Sequence, residues 1–280
     1  MTNKISKSLL LLVTITGGLF LFNTGSQAQA DSSFANVSYV QANRKIKTNL
    51  YRTINGKKSS YYLPKGAKFS VAGVSSTRNA KGTVDYFVSP SLDNYSYRYR
   101  SAFTNFKKTN GHITTSEIPF TSKNFTKVNM PYKFSNQYFQ YGKAWSFSIK
   151  QFHQIFNVTQ DGYIQFYSTA SLKKSNVPNS FSNWDPKTGR QLPEISAQKP
   201  TTTRKITATK KAGSNITYVY YSKPIHGLKE AKVGKNNYRL KINYQKSFDK
   251  VEGNLEARWA SSYVGGSPYF ILFDANSTAD

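Results

Sequence analysis

Tyr238-Arg239-Leu240-Lys241-Ile242-Asn243-Tyr244 (YRLKINY) places an apolar or aromatic residue at every second position, with basic or polar residues between them. Successive side chains of an extended chain point to opposite faces. This period of two therefore predicts a strand with one face for a core and one basic face for water. The alternation recurs along the chain. Phe69 and Val71 alternate with Lys68 and Ser70, and Val84, Tyr86 and Val88 with Asp85 and Phe87. Ile164 and Phe166 follow Asp161-Gly162, and Asn55-Gly56 follows Leu50 and Tyr51; both dipeptides favour two-residue hairpin turns. Short strands separated by turns predict a mainly β protein built from small barrels or sandwiches. Helical periodicity is weak. Ser148–Phe156 carries Ile149, Phe152 and Phe156 on one helical face, but it equally continues a strand begun by Trp145, Phe147 and Ile149.

The first thirty residues read as an exported leader. Lys4 and Lys7 precede an apolar run, Leu9 to Phe22, and the segment ends in the small-x-small pattern Ala28-Gln29-Ala30. Cleavage is expected between Ala30 and Asp31. The run is short for a membrane span and is interrupted by Gly17 and Gly18. No second apolar run of spanning length follows, and Leu192-Pro193-Glu194 continues as Ile195-Ser196 rather than as a covalent wall-sorting signal. The expected location is outside the membrane, secreted and held to a surface without a covalent link.

Charge narrows the partners. Loss of the leader removes two of the 39 basic residues and none of the 13 acidic ones, which leaves +24. So large an excess attracts polyanions. For an exported protein these are wall polymers such as teichoic acids, anionic lipid or acidic polysaccharide, before nucleic acid. The paired lysines (57–58, 107–108, 173–174 and 210–211) are dispersed, so the summed field rather than one run carries the attraction. The chain has no cysteine, which excludes disulfide staples, thiol nucleophiles and thiolate metal sites. It must fold on core burial alone, and 20 Tyr and 19 Phe supply the apolar area.

Three segments are expected after the leader: a module over 31–110, with a weak break near Lys107–Gly111, a middle region to about 190, and a C-terminal β segment from about 203. The last two read either as one β-rich domain over 111–280 or as two. Between them, Pro186–Arg204 reads as a linker or long loop because it holds three prolines and a threonine run.

Residues 46–106 resemble the SH3-like modules of Gram-positive surface proteins, including those that hold surface-layer proteins to the wall. The resemblance rests on Thr48-Asn49-Leu50-Tyr51, the Asn55-Gly56-Lys57-Lys58 turn, Leu63-Pro64-Lys65-Gly66 before Phe69-Ser70-Val71, Gly82 to Val88, and a closing segment Tyr95 to Arg100 leading to Ala102-Phe103. It implies a small SH3-like barrel binding wall glycan, peptidoglycan peptide or secondary wall polymer, followed by a second β-rich domain. The chain lacks an Arg-Ser-Gly-Pro run after the first strand, which argues against the peptide groove of the glycan-binding variants. Val233-Gly234-Lys235 before the Tyr238 strand resembles a diverged second copy within Asn215–Phe273.

The densest candidate site is Tyr95, Tyr97, Arg98, Tyr99 and Arg100. Read as a strand, it puts three tyrosines on one face and two arginines on the other. The arginines suit phosphate or carboxylate, and the tyrosines either stack on sugars or simply form a core face. Arg239 and Lys241 form the second candidate basic face. Catalysis finds little support. His112, His153 and His226 have no metal-ligand spacing, there is no G-x-S-x-G elbow, and Asp161, Asp185, Glu194, Glu252 and Glu256 form no obvious acid pair. No cofactor or metal is expected. The expected function is non-catalytic binding of anionic wall polymer or glycan. A hydrolase with an unrecognised site, and an adhesin or membrane-active toxin, are the alternatives.

Overall fold

The computed structural model describes residues 37–129, 138–144, 152–178, 184–185, 190–191, 194–252 and 255–277. The leader, the expected cleavage point at Ala30 and Asp31, Trp145 to Lys150, and residues 186–189 and 192–193 of the Pro186–Arg204 stretch lie outside them. The described chain is mainly β, with two short α-helices.

The first module contains strands β1 (Tyr39–Ala42), β2 (Ile46–Ile54), β3 (Lys57–Leu63), β4 (Lys68–Arg78), β5 (Val84–Ser91), β6 (Ile118–Pro119) and β7 (Phe125–Lys127). Five of them form an antiparallel sheet in the order β6-β5-β4-β1-β7, and β2 and β3 form a separate hairpin. Asn55 and Gly56 both take positive φ (49° and 76°), as a tight hairpin turn needs, and they set Ile54 opposite Lys57. The core between sheet and hairpin holds Val40, Leu63, Phe69, Leu92 and Ile113, all fully buried. Because β6 and β7 belong to this sheet, the module extends past the expected boundary at 110.

A single turn of helix, α1 (Tyr97–Arg100), replaces the expected closing strand. The period-two reading of Tyr95–Arg100 is thereby corrected. The carboxylate of Asp161, far along the chain, accepts hydrogen bonds from the backbone N–H of Ser96 at 2.8 Å and from its hydroxyl at 2.7 Å, and fixes the residue that starts the turn.

The remaining strands close a barrel. In chain order they are β8 (Tyr138–Tyr141), β9 (Ile155–Val158), β10 (Tyr163–Tyr167), β11 (Trp184–Asp185), β12 (Arg190–Gln191), β13 (Thr202–Ala212), β14 (Ile216–Tyr221), β15 (Ala231–Gly234), β16 (Asn237–Glu252), β17 (Leu255–Val264) and β18 (Ser267–Ser277). The ladder runs β8-β9-β10-β13-β14-β16-β17-β18, and β18 returns to β8 through Ile271 opposite Phe139. Eight antiparallel strands thus form an up-and-down barrel. β11–β12 is a small hairpin in the β10–β13 connection, and β15 lies beside β16. An interior of this size is filled by side chains. Phe139, Phe156, Val158, Ile164, Val219, Leu240, Ile242 and Val264 fill it here, all fully buried.

Strands from both sides of Pro186–Arg204 enter one barrel, so that stretch joins β10 to β13 rather than separating two domains. The expected second copy is also corrected. β14, β16, β17 and β18 follow each other around the barrel, whereas the first module has the order β6-β5-β4-β1-β7.

Candidate functional site: a basic aromatic face on the barrel

The register of β13, β14 and β16 lines up two outward rows. Lys210, Tyr218 and Lys241 sit directly across from one another, and beside them lie Ala208, Tyr220 and Arg239. Leu240 and Ile242 point into the barrel and are fully buried, which forces their neighbours Arg239 and Lys241 outward. The Arg239 guanidinium lies 4.7 Å from the Tyr218 ring centroid, and Lys205 lies 4.5 Å from that of Tyr163 one strand further on. Neither row contains an acidic residue. The nearby Glu230 is committed elsewhere, accepting from Tyr221 Oη and from the Ile225 N–H at 3.1 Å. Adjacent strands are about 4.8 Å apart, so Lys210 and Lys241 face each other across roughly 10 Å, about one Debye length at physiological salt. An anion bound over Tyr218 would lie between the two ammonium groups and face both.

The candidate at Tyr95–Arg100 is differently arranged. Tyr95 is buried, stacks 5.7 Å from Phe69 and donates to the Lys68 carbonyl at 2.7 Å. Tyr99 packs 4.8 Å from Tyr95 and shares a 2.8 Å hydrogen bond with Tyr61. Tyr97 is half-buried, edge-on to Phe106 at 5.4 Å. Arg100 is fully buried and donates to the carbonyls of Tyr95 at 2.9 Å and Gly111 at 2.5 Å. Arg98 alone of this group stands exposed. These tyrosines form core, and Arg100 ties two loops together. The structure therefore groups Arg239 and Lys241, adds Lys210, Tyr218 and Tyr220 to them, and separates them from Arg98.

One polar cluster had no sequence signal at all. His112 bridges two carboxylates, with Nδ1 3.0 Å from Asp93 and Nε2 2.7 Å from Glu194. Hydrogen bonds to Asp93 and Glu194 push its pKa up to about 10 against the opposing effect of burial. Burial pushes the Asp93 carboxyl up, but the hydrogen bond from His112 and the Ile113 N–H outweigh it, so the group ends below its usual range. The imidazolium spends both N–H groups on carboxylates, so it has no lone pair to act as a general base. It fastens the first module to the segment that precedes β13, where the hydroxyl of Ser196 also donates to the Asn110 carbonyl at 2.6 Å. His153 is half-buried, which lowers its pKa, and His226 is exposed. Asp185 pairs across the small hairpin with Arg190, and Glu252 and Glu256 sit near the β16–β17 turn.

Sequence reading also missed an aromatic basic surface on the β2–β3 hairpin. Tyr51 and Tyr62 are 42% and 36% exposed, and lysine ammonium groups lie over both rings. The Asn55-Gly56 turn could have revealed part of it, because a two-residue loop sets Lys58 opposite Thr53 and diagonal to Tyr51.

Compared with protein-family models, curated proteins and solved structures, the chain matches none of them.

Proposed function

We propose that this chain is an exported, non-catalytic protein that binds anionic polymers of the cell envelope, teichoic acid foremost, through the outer face of its barrel. The observation that carries this reading is the Lys210–Tyr218–Lys241 row with Arg239 seated over Tyr218, a cluster of cations with no acid in its rows. The leader-like N-terminus and the net charge of +26 on the whole chain support it. So does the resemblance of residues 46–106 to SH3-like wall-binding modules, which would place a second wall-directed module beside the barrel. A surface that binds by displacing counterions loses affinity steeply as salt rises, and the slope counts the phosphates neutralised. Among the described residues, His112 is held between two carboxylates with both nitrogens occupied, so it does not offer the general base a hydrolase would use.

The test is the triple variant K210Q/R239Q/K241Q in a wall-binding assay over a salt series. Retention should weaken, and the slope of log K against log salt should fall by about 2 to 3, near 0.7–0.9 for each lost contact. An unchanged slope would place the contact elsewhere, and turnover of purified peptidoglycan by the wild-type chain would favour the hydrolase alternative.

A further inference from the structure

The β2–β3 hairpin has two unlike faces. Ile46, Leu50, Tyr61 and Leu63 are buried against the sheet, and Lys47, Tyr51, Lys58 and Tyr62 point outward. Lys47 lies directly across from Tyr62, and Tyr51 across from Ser60, so the two rings sit diagonally on one surface. The Lys45 ammonium is 4.6 Å from the Tyr62 centroid, and that of Lys58 is 4.3 Å from the Tyr51 centroid. Beside the hairpin runs an open groove of about 540 Å³, lined by Arg44, Lys45, Lys47, Tyr62, Glu117 and Pro119 among others. Arg44 is held in place there, its Nε–H donating at 2.9 Å to Asn124, whose amide in turn donates to the Pro119 carbonyl at 2.8 Å. Three cations of the groove therefore face one carboxylate, and Lys58 adds a fourth further along the hairpin.

We infer that this hairpin is a second polyanion site, independent of the barrel face, and that it reads the phosphate charge of a linear phosphodiester polymer rather than the faces of sugar rings. An aromatic ring that stacks on sugar must offer an open face. Here lysine ammonium groups already lie over both exposed tyrosines, drawn to the negative ring faces. The rings thus act as posts that hold flexible lysines in position, which lowers the entropy lost when a phosphate binds. Neutral glycan gains nothing from such posts, whereas a chain of phosphates finds Lys58, Lys45, Lys47 and Arg44 along the hairpin and its groove. This deepens the polyanion reading and rests on it, but it concerns different residues on the other module.

The experiment measures binding of poly(glycerol phosphate) to the full chain over a salt series. It compares wild type, K45Q/K47Q/K58Q, Y51L/Y62L and the barrel variant K210Q/R239Q/K241Q. All substituted hairpin positions are exposed, and matching unfolding curves would show that the fold is kept. One long polymer chain engages hairpin and barrel face together, so the lysine variant, which loses one of the two contacts, should bind on the order of a hundredfold more weakly. Its salt slope should fall by about 2 to 3. Y51L/Y62L should lose affinity several-fold with the slope intact, since the charges remain while their posts are gone. A lysine variant with wild-type affinity and slope would overturn the hairpin site and leave the barrel reading standing. Loss of binding in Y51L/Y62L with full binding in K45Q/K47Q/K58Q would overturn phosphate reading in favour of ring stacking. If wild type itself did not bind the polymer, both the hairpin site and the function it rests on would fall.

Discussion

Replacing Arg100 with glutamine removes a fully buried guanidinium that donates to two backbone carbonyls in different loops, Tyr95 at 2.9 Å and Gly111 at 2.5 Å. A glutamine amide is shorter and cannot serve both. Hydrogen bonds from a charged donor contribute about 1.5–3 kcal/mol each, and a buried acceptor left alone loses its solvation as well. The guanidinium also lies 5.7 Å from the Phe106 ring and helps hold the Asp93 carboxylate ionised. Together these put the cost of R100Q at about 3–5 kcal/mol, the sum of two such hydrogen bonds less what a glutamine amide restores. For a domain with a total stability of about 5–15 kcal/mol that is a large share. With a urea m-value of about 2 kcal/mol/M, the unfolding midpoint should fall by roughly 2 M. Urea denaturation followed by circular dichroism measures it, with R98Q alongside as the exposed neighbour, expected within about 0.5 kcal/mol of wild type. Polymer binding by folded R100Q should be unchanged. If R100Q kept wild-type stability and lost binding instead, Arg100 would be a ligand contact and the structural role argued from its burial would be wrong.

Other predictions follow from the join between module and barrel. His112 has its folded pKa raised to about 10. Its stabilisation is therefore complete below about pH 6.5, the unfolded value, and is lost as pH rises through about 10. Asp93 and Glu194 are both lowered, so their share is present above the unfolded carboxylate range and disappears as pH falls through their folded values. H112N should flatten both limbs of a plot of melting temperature against pH, and an unaltered profile would refute the clasp. Asp161 fixes the start of α1 through Ser96; D161A should cost about 2–4 kcal/mol and speed proteolysis of the 92–112 region, read by mass spectrometry. Gly111 has φ +84°, and a Cβ there would come within 2.5 Å of the Ser196 carbonyl oxygen. G111A should therefore displace the segment carrying Glu194 and Ser196, cost about 1–3 kcal/mol and return the His112 pKa, measured by NMR, toward its ordinary value.

What could be read from sequence was local. YRLKINY became part of β16 with Leu240 and Ile242 inside the barrel, because a period of two survives any packing that buries one face. Asn55-Gly56 became the β2–β3 turn, since that dipeptide tolerates the positive φ the turn needs. The Tyr95–Arg100 segment failed because its alternation is only six residues long, and a contact from Asp161 overrides it. Barrel closure depends on Phe139 meeting Ile271, more than a hundred residues away, and no local pattern encodes that. His112 looked solitary because its carboxylates come from Asp93 and Glu194, one of them beyond three barrel strands. Half of the barrel site was legible in Arg239 and Lys241. The other half, Lys210 and Tyr218, required the strand register.

The measurement that bears most directly on polyanion binding is retention of the chain from residue 31 to 280 on purified cell walls. It should be made with and without teichoic acid across a salt series. Retention that depends on the polymer and falls steeply with salt, by a power law whose slope counts several phosphates, is the predicted result. Retention that is indifferent to both salt and teichoic acid would contradict the account.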